Sequence, residues 1–180
     1  MDKAEVLLVT RRFRVERRVQ TLPDGSTNAR EVIEHPGAVA IVPILDREHV
    51  CLVRNYRLAV DVWLLEIPAG TREPGEDPQT TAARELAEET GYRAQSLVPM
   101  CQLLFSPGIL HERMHLFVAT GLTAGPTQLE VGEQIATQVM PLDTVLRMIE
   151  RGEIEDAKTV AALLLYERCY RQAARDANAE

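Results

Sequence analysis

Glu85, Glu88 and Glu89 stand three and four residues apart within the run ARELAEETG, so on a helix all three carboxylates project from one face. Like charges at that spacing repel and weaken an isolated helix, and something must offset them. A hard divalent cation such as Mg2+ does so, because it prefers carboxylate oxygens and brings substrate phosphates with it. A solvated acidic face has the same spacing. The three glutamates taken alone leave both readings open.

The surrounding residues change the balance. Residues 70–92 read GTREPGEDPQTTAARELAEETGY. Gly70, the loop Glu73-Pro74-Gly75-Glu76, a helix and Gly91 form one strand–loop–helix–turn unit. It resembles the Nudix box, G-x5-E-x7-R-E-U-x-E-E-x-G-U with U aliphatic. Gly70, Glu76, Arg84, Glu85, Leu86, Glu88, Glu89 and Gly91 match at every spacing, and Tyr92 departs where an aliphatic residue is usual. The resemblance implies that Glu85 and Glu89 bind a catalytic Mg2+ (or Mn2+) with the carbonyl of Ala69. It implies that Glu88 serves additional metal ions, and that Glu76 and Arg84 brace the loop against the helix. Metals so held polarise bridging phosphates and activate a water.

Residues outside the box bear on the substrate. WLLEIPAG (63–70), VRNYR (53–57), SPGILHERMHLFVA (106–119) and GEIEDAKTVAALLLY (152–166) resemble segments of the ADP-ribose pyrophosphatase subfamily. The implied reaction converts ADP-ribose to AMP and ribose 5-phosphate. Nucleotide-sugar pyrophosphatases share several of these segments, and a non-catalytic sensor of ADP-ribose-like ligands is a third reading, against which the intact box carboxylates weigh. By the same resemblance Arg30 and Arg57 are candidates to hold substrate phosphates, and Glu112 to contact ribose or water. An ordinary surface ion pair is the alternative for each arginine. QLEVGEQIA (128–136) resembles the acidic loop that closes over the active site, with Glu130 and Glu133 as its acids. Glu133 is the expected general base, because the box glutamates are engaged by cations that lower their basicity.

His111-Glu112-Arg113-Met114-His115 spells H-E-x-x-H, a zinc-protease motif that works only on a helix. Pro107-Gly108 before it and MHLFVAT after it predict extended chain. There residues four apart lie about 13 Å from each other, too far to share a zinc.

The elements that must position these residues follow from patterning. Alternation over 4–20, the Pro-Asp-Gly turn in LPDGST (22–27) and the run 30–35 predict N-terminal antiparallel strands. GAVAIVPIL (37–45) reads as a buried strand, and HVCLVRNYR (49–57) as its neighbour. Asp77, Pro78 and Gly91 mark the start and stop of a helix over 78–90. Strands follow near 97–105, 113–120 and 134–140, then a helix from Pro141-Leu142 to about 151. A last helix is expected over roughly 157–174, with Val160, Leu163, Leu164 and Tyr166 as its buried side. The predicted class is α+β, and the resemblance implies an α/β/α sandwich with a mixed central sheet. Residues 1–36 are expected to add N-terminal strands that support a homodimer, 37–175 to form the catalytic domain, and 176–180 to be a frayed tail.

The chain has 180 residues, enough for one domain with a core. Its net charge of −7 argues against binding nucleic acid or an anionic membrane. Without a long apolar run or a signal peptide, a cytoplasmic enzyme acting on a small nucleotide is expected. Cys51, Cys101 and Cys169 lack metal-ligand spacing, and each is expected in or near the core. Arg11, Arg12, Arg14, Arg17 and Arg18 crowd one segment. They suit either a solvated strand face or an edge turned to phosphate or to a second subunit.

Overall fold

The computed structural model describes residues 4–129 and 134–171. Along the chain run β1 (Ala4–Val9), β2 (Arg14–Thr21), β3 (Thr27–Glu34), β4 (Ala38–Pro43), β5 (His49–Arg57), β6 (Val62–Glu66), β7 (Ala69–Thr71), α1 (Pro78–Thr90), β8 (Tyr92–Leu103), β9 (Leu110–His111), β10 (Met114–Ala124), β11 (Ile135–Pro141), α2 (Leu142–Glu150) and α3 (Ala157–Tyr166). They form three sheets, ordered β1-β2-β3-β9, β7-β4-β10-β8 and β11-β5-β6. Two pairs are parallel, β4 with β10 and β3 with β9; the rest are antiparallel. Through β9 a segment from the middle of the chain is built into the N-terminal sheet.

β4 explains the layering. Its side chains alternate between two cores with a period of two. Val39 and Ile41 pack with Ala82 and Leu86 of α1 and with Phe117 of β10. Ala38, Ala40 and Val42 face the other way, into a core with Val145 of α2 and Leu163 of α3. A strand covered on both faces reads as an unbroken apolar run, as 37–45 does. Helices on both sides of the β4 sheet make the expected α/β/α sandwich.

Several expected boundaries move. β8 starts at Tyr92 rather than 97, because its pairing with β10 continues to Tyr92↔Ala124. The last helix starts at Ala157 as expected and is α-helical to Tyr166. A π-helical turn, Glu167–Arg171, takes over, where Arg171 reaches Asp143 of α2 (2.5 Å) and Tyr166 stacks on Tyr170. Leu164 is 47% exposed, so it falls off the expected buried side. Cys51 is buried and Cys101 partly so, but Cys169 is exposed on the π-helical turn, contrary to expectation.

Candidate active site

The loop after β7 and the first turn of α1 place the carboxylates. Asp77 caps the helix, accepting from the amides of Gln79 (2.9 Å) and Thr80 (3.4 Å), and Pro78 occupies the first turn. At the other end Gly91 adopts φ 74° and its amide returns to the Ala87 carbonyl. A Cβ on Gly91 would lie 2.3 Å from the Gly125 carbonyl oxygen, so only glycine fits there. The helix buries two of its three glutamates. Glu85 is 9% and Glu89 5% exposed, while Glu88 is half-buried. A solvated acidic face does not look like this, because burying carboxylates is costly without partners.

The partners come from β7 and from Arg84. The Ala69 amide donates to Glu89 Oε2 at 3.1 Å. The Glu85 carboxylate lies directly over the α-carbon of Gly70: a Cβ built there would sit 1.9 Å from Glu85 Cδ and 2.1 and 2.2 Å from its oxygens. Arg84 bonds Glu85 Oε1 (2.7 Å) and Glu88 Oε2 (3.0 Å) through one nitrogen. Its other edge grips Glu76 at both oxygens, at 3.2 and 3.1 Å. Glu76 also accepts from the Glu73 amide, and its carbonyl accepts from Arg72, so the loop is tied at several points.

The Arg84 fork, and less strongly the Glu73 amide, hold Glu76 at a pKa of about 2 against an ordinary 4.5, although burial opposes this. The sign follows: Glu76 contributes its stabilisation above pH 4.5 and loses it only as pH falls toward 2. The loop brace is therefore fully ionised across the working range of the protein. Carboxyl carbon shifts followed by NMR should place Glu76 near 2, and Arg84→Lys, which removes the fork, should return it toward 4.5. A Glu76 titrating at 4 or above in the unmutated protein rules the brace out as the cause.

Could these residues hold a divalent metal? The donors are all oxygen, the chemistry that hard cations take. Gly70 leaves room for Glu85 that a side chain would fill, and Glu85 and Glu89 share one helix face. Among the described residues no three acidic, histidine or cysteine side chains already converge on one point. Arg84 draws Glu85 and Glu88 to itself instead, as a protein counter-cation. The donor set fits a divalent metal once those carboxylates turn from Arg84.

Glu85, Glu89, Ala69, Gly70 and Arg57 line one cavity of about 350 Å3. Arg57 is in that wall but its guanidinium is committed, with Nε 2.7 Å and Nη2 2.5 Å from the oxygens of Glu66. Arg30 is exposed on the N-terminal sheet and lines a separate groove with Arg18. Glu112 is turned to His35 Nδ1 at 3.1 Å, and neither it nor Arg30 lines the cavity. Glu130 and Glu133 lie outside the described residues. His111 and His115 belong to different strands, β9 and β10; His111 faces Glu34 at 3.0 Å, and burial and the charge of Arg72 lower the pKa of His115.

Sequence reasoning missed a buried charge network behind this wall. Glu66, 1% exposed, receives Arg57 and also Lys158 of α3. Lys158 further contacts Asp156 at 2.9 Å, and Asp156 caps α3 by accepting from the Thr159 amide. Thr159 Oγ1 accepts from the Ile67 amide at 2.9 Å. One glutamate in the apolar run WLLEIP and one lysine in the apolar start of a helix were the available signals.

Known proteins resemble this chain along most of its length. The NUDIX domain family matches residues 34–163. The ADP-ribose pyrophosphatase of Bacillus subtilis (strain 168) is 39% identical over 144 residues, 79% of this chain and 78% of that protein. The methanol dehydrogenase activator of Bacillus methanolicus is 40% identical over 144 residues, again 79% and 78%. A solved structure, the crystal structure of an ADP compounds hydrolase, superposes with a TM-score of 0.83 at 27% identity, covering 97% of this chain and 95% of that one.

Proposed function

The chain belongs to the NUDIX domain family, a Nudix hydrolase, and from that premise we propose that it is an Mg2+-dependent pyrophosphatase of ADP-ribose, releasing AMP and ribose 5-phosphate. The observation that carries the reading is the burial of Glu85 and Glu89 against Ala69 and Gly70 in the floor of one cavity. Glu85 and Glu89 would hold the metal, with the Ala69 carbonyl, and Glu88 would serve a further ion. Bound there, a divalent cation supplies charge that neutralises phosphate oxygens and acidifies water.

The chain's own residues do the rest. Glu76 fixes Arg84, and Arg84 pairs with Glu85 and Glu88 until the metal takes their carboxylates. Water oxygen bonds to one phosphorus while the bridging P–O bond breaks. The water proton passes to a carboxylate, and the other phosphoryl group departs as a phosphate monoester. Glu133 is the proposed acceptor. A base of this kind contributes about 100- to 10,000-fold, so Glu133→Gln should lower kcat at least about 100-fold with KM little changed. Near-normal kcat in that variant, with loss in Glu130→Gln or Glu112→Gln, moves the role.

The relatives at almost equal identity carry different names, so identity alone leaves the leaving group open. A panel of ADP-ribose, ADP-sugars, GDP-mannose, NADH and diadenosine polyphosphates with Mg2+ is the test. The expected result is AMP and ribose 5-phosphate from ADP-ribose at the highest kcat/KM, stopped by EDTA and restored by Mg2+. Full activity in EDTA, or no turnover of any diphosphate, overturns the reading.

A homodimer is part of the proposal. β1 is an edge strand with Val6 52%, Leu8 52% and Val9 71% exposed, an apolar edge that a second copy would cover. Sedimentation showing a monomer at micromolar concentration counts against it. No helix among the described residues is long and apolar enough to cross a membrane. Three cysteines without a disulfide suit the reducing cytoplasm, where we place the enzyme.

A further inference from the structure

Five arginines crowd the first strands, and the structure sorts them into two groups. Arg14, Arg17 and Arg18 stand on β2, and each meets a carboxylate: Arg14 with Glu16 (2.6 Å), Arg17 with Glu31 (3.1 Å) and Glu5 (3.3 Å), Arg18 with Glu16 (3.0 Å) and Glu34. Arg11 and Arg12 occupy the turn between β1 and β2. Both are exposed, and among the described residues neither makes an ion pair.

That turn is held in place. The Thr10 amide donates to the Phe13 carbonyl at 2.9 Å, and Thr10 Oγ1 accepts from the amides of Arg12 (3.2 Å) and Phe13 (3.0 Å). So fixed, the turn brings Arg11 and Arg12 into the lining of the cavity that contains Gly70, Glu85 and Glu89. They also line an adjoining cavity of about 360 Å3 walled by Phe13, Pro36 and Pro74. They therefore stand where the two cavities meet.

The other cations of the first cavity are already engaged. Arg57 is taken by Glu66, Arg72 by the Glu76 carbonyl, and Arg84 by Glu76, Glu85 and Glu88. An incoming diphosphate can claim Arg11 and Arg12 without first breaking a protein ion pair. Arginine suits the task, since its planar fork bonds two phosphate oxygens at once.

We propose that Arg11 and Arg12 bind the phosphoryl group of the substrate that faces away from the acidic helix, so that a nucleoside diphosphate spans the cavity from Glu85 and Glu89 to the β1–β2 turn. This rests on the diphosphate-hydrolase reading above. It makes the turn a positioning and affinity device that the N-terminal sheet contributes to the reaction.

The test compares the unmutated protein with Arg11→Gln/Arg12→Gln, Arg11→Lys/Arg12→Lys and Arg17→Gln. Binding of α,β-methylene ADP, a diphosphate with an uncleavable bridge, is measured by calorimetry with Mg2+, alongside kcat and KM for the best substrate of the panel. The glutamine pair should weaken analogue binding and raise KM about 10- to 100-fold, roughly the loss of one or two charge-assisted contacts, while kcat falls less than KM rises. The lysine pair, which keeps charge but not the fork, should fall in between. Arg17→Gln should change neither. Thermal midpoints should stay together, because both arginines are exposed and unpaired.

Equal weakening by Arg17→Gln overturns the proposal, since the general positive field would then be the cause. So does a glutamine pair with unchanged binding and KM, or an unmutated protein that binds no analogue. Arginine-dependent analogue binding in a protein that cleaves no diphosphate supports this assignment and overturns the hydrolase reading instead.

Discussion

Gly70→Ala should lower kcat/KM at least about 1000-fold while leaving the fold nearly unchanged. The added Cβ would lie 1.9 Å from Glu85 Cδ, so something must shift. Glu85 is the part that can move, because its carboxylate ends a flexible side chain. The displacement shifts it within the cavity wall that it lines with Glu89. If Glu85 binds the metal, the variant forfeits several kcal/mol of charge stabilisation in the transition state, and about 4 kcal/mol corresponds to 1000-fold. Stability responds differently. Gly70 does not occupy the left-handed region, so alanine meets no backbone strain. A change of about 1 kcal/mol, or about 2–4 °C in Tm for a chain this size, is expected. Calorimetric titration with Mg2+ and Mn2+ should show weakened binding in parallel. A variant within tenfold of normal kcat/KM shows that the close packing of Glu85 on Gly70 serves only the fold.

The largest effect on stability is expected at Glu66. Glu66→Leu leaves Lys158 with only Asp156 and strands one edge of Arg57 at a site where Glu66 itself is 1% exposed. Removing one partner of a buried pair costs about 3–5 kcal/mol, and Tm should fall by about 6–20 °C. Adding Lys158→Met should recover part of the loss, because the second change removes the uncompensated charge. The pH dependence has a definite sign. Burial pushes the Glu66 carboxyl up, but Arg57 and Lys158 outweigh it and hold the pKa below 4.5. A depressed carboxylate stabilises the protein above pH 4.5 and loses that contribution as pH falls through its folded value. Urea midpoints between pH 3 and 7 should therefore be less pH-sensitive in Glu66→Leu than in the unmutated protein. Parallel curves would remove Glu66 from the acid response.

The helix with its caps was legible because its signals are local. Asp77, Pro78 and Gly91 lie within fifteen residues of one another, and the spacing of Glu85 and Glu89 is a property of the helix itself. The burial of those glutamates was not legible, since it depends on β7 lying beneath the helix. The same holds for the Glu66–Lys158 pair, whose members are 92 residues apart in sequence. Periodicity cannot report a contact of that span. Arg11 and Arg12 sat in a conspicuous cluster, yet nothing in the sequence separated them from Arg14, Arg17 and Arg18. The hydroxyl of Thr10 does so, by folding the turn that carries them off the strand. The change from α to π winding at Glu167 was not legible either: a regular apolar period does not reveal that Arg171 will reach Asp143 of a neighbouring helix.

The place of β4 in its sheet also bears on how the protein is made. This strand is apolar throughout, and its parallel partner β10 begins at Met114, which pairs with Ala38. At ordinary rates of synthesis, about 5–20 residues per second, β4 leaves the ribosome several seconds before that partner exists. Meanwhile one backbone edge of AVAIVP is open to any other extended chain. Translation pauses between residues 43 and 114 lengthen the time for which that edge stands open.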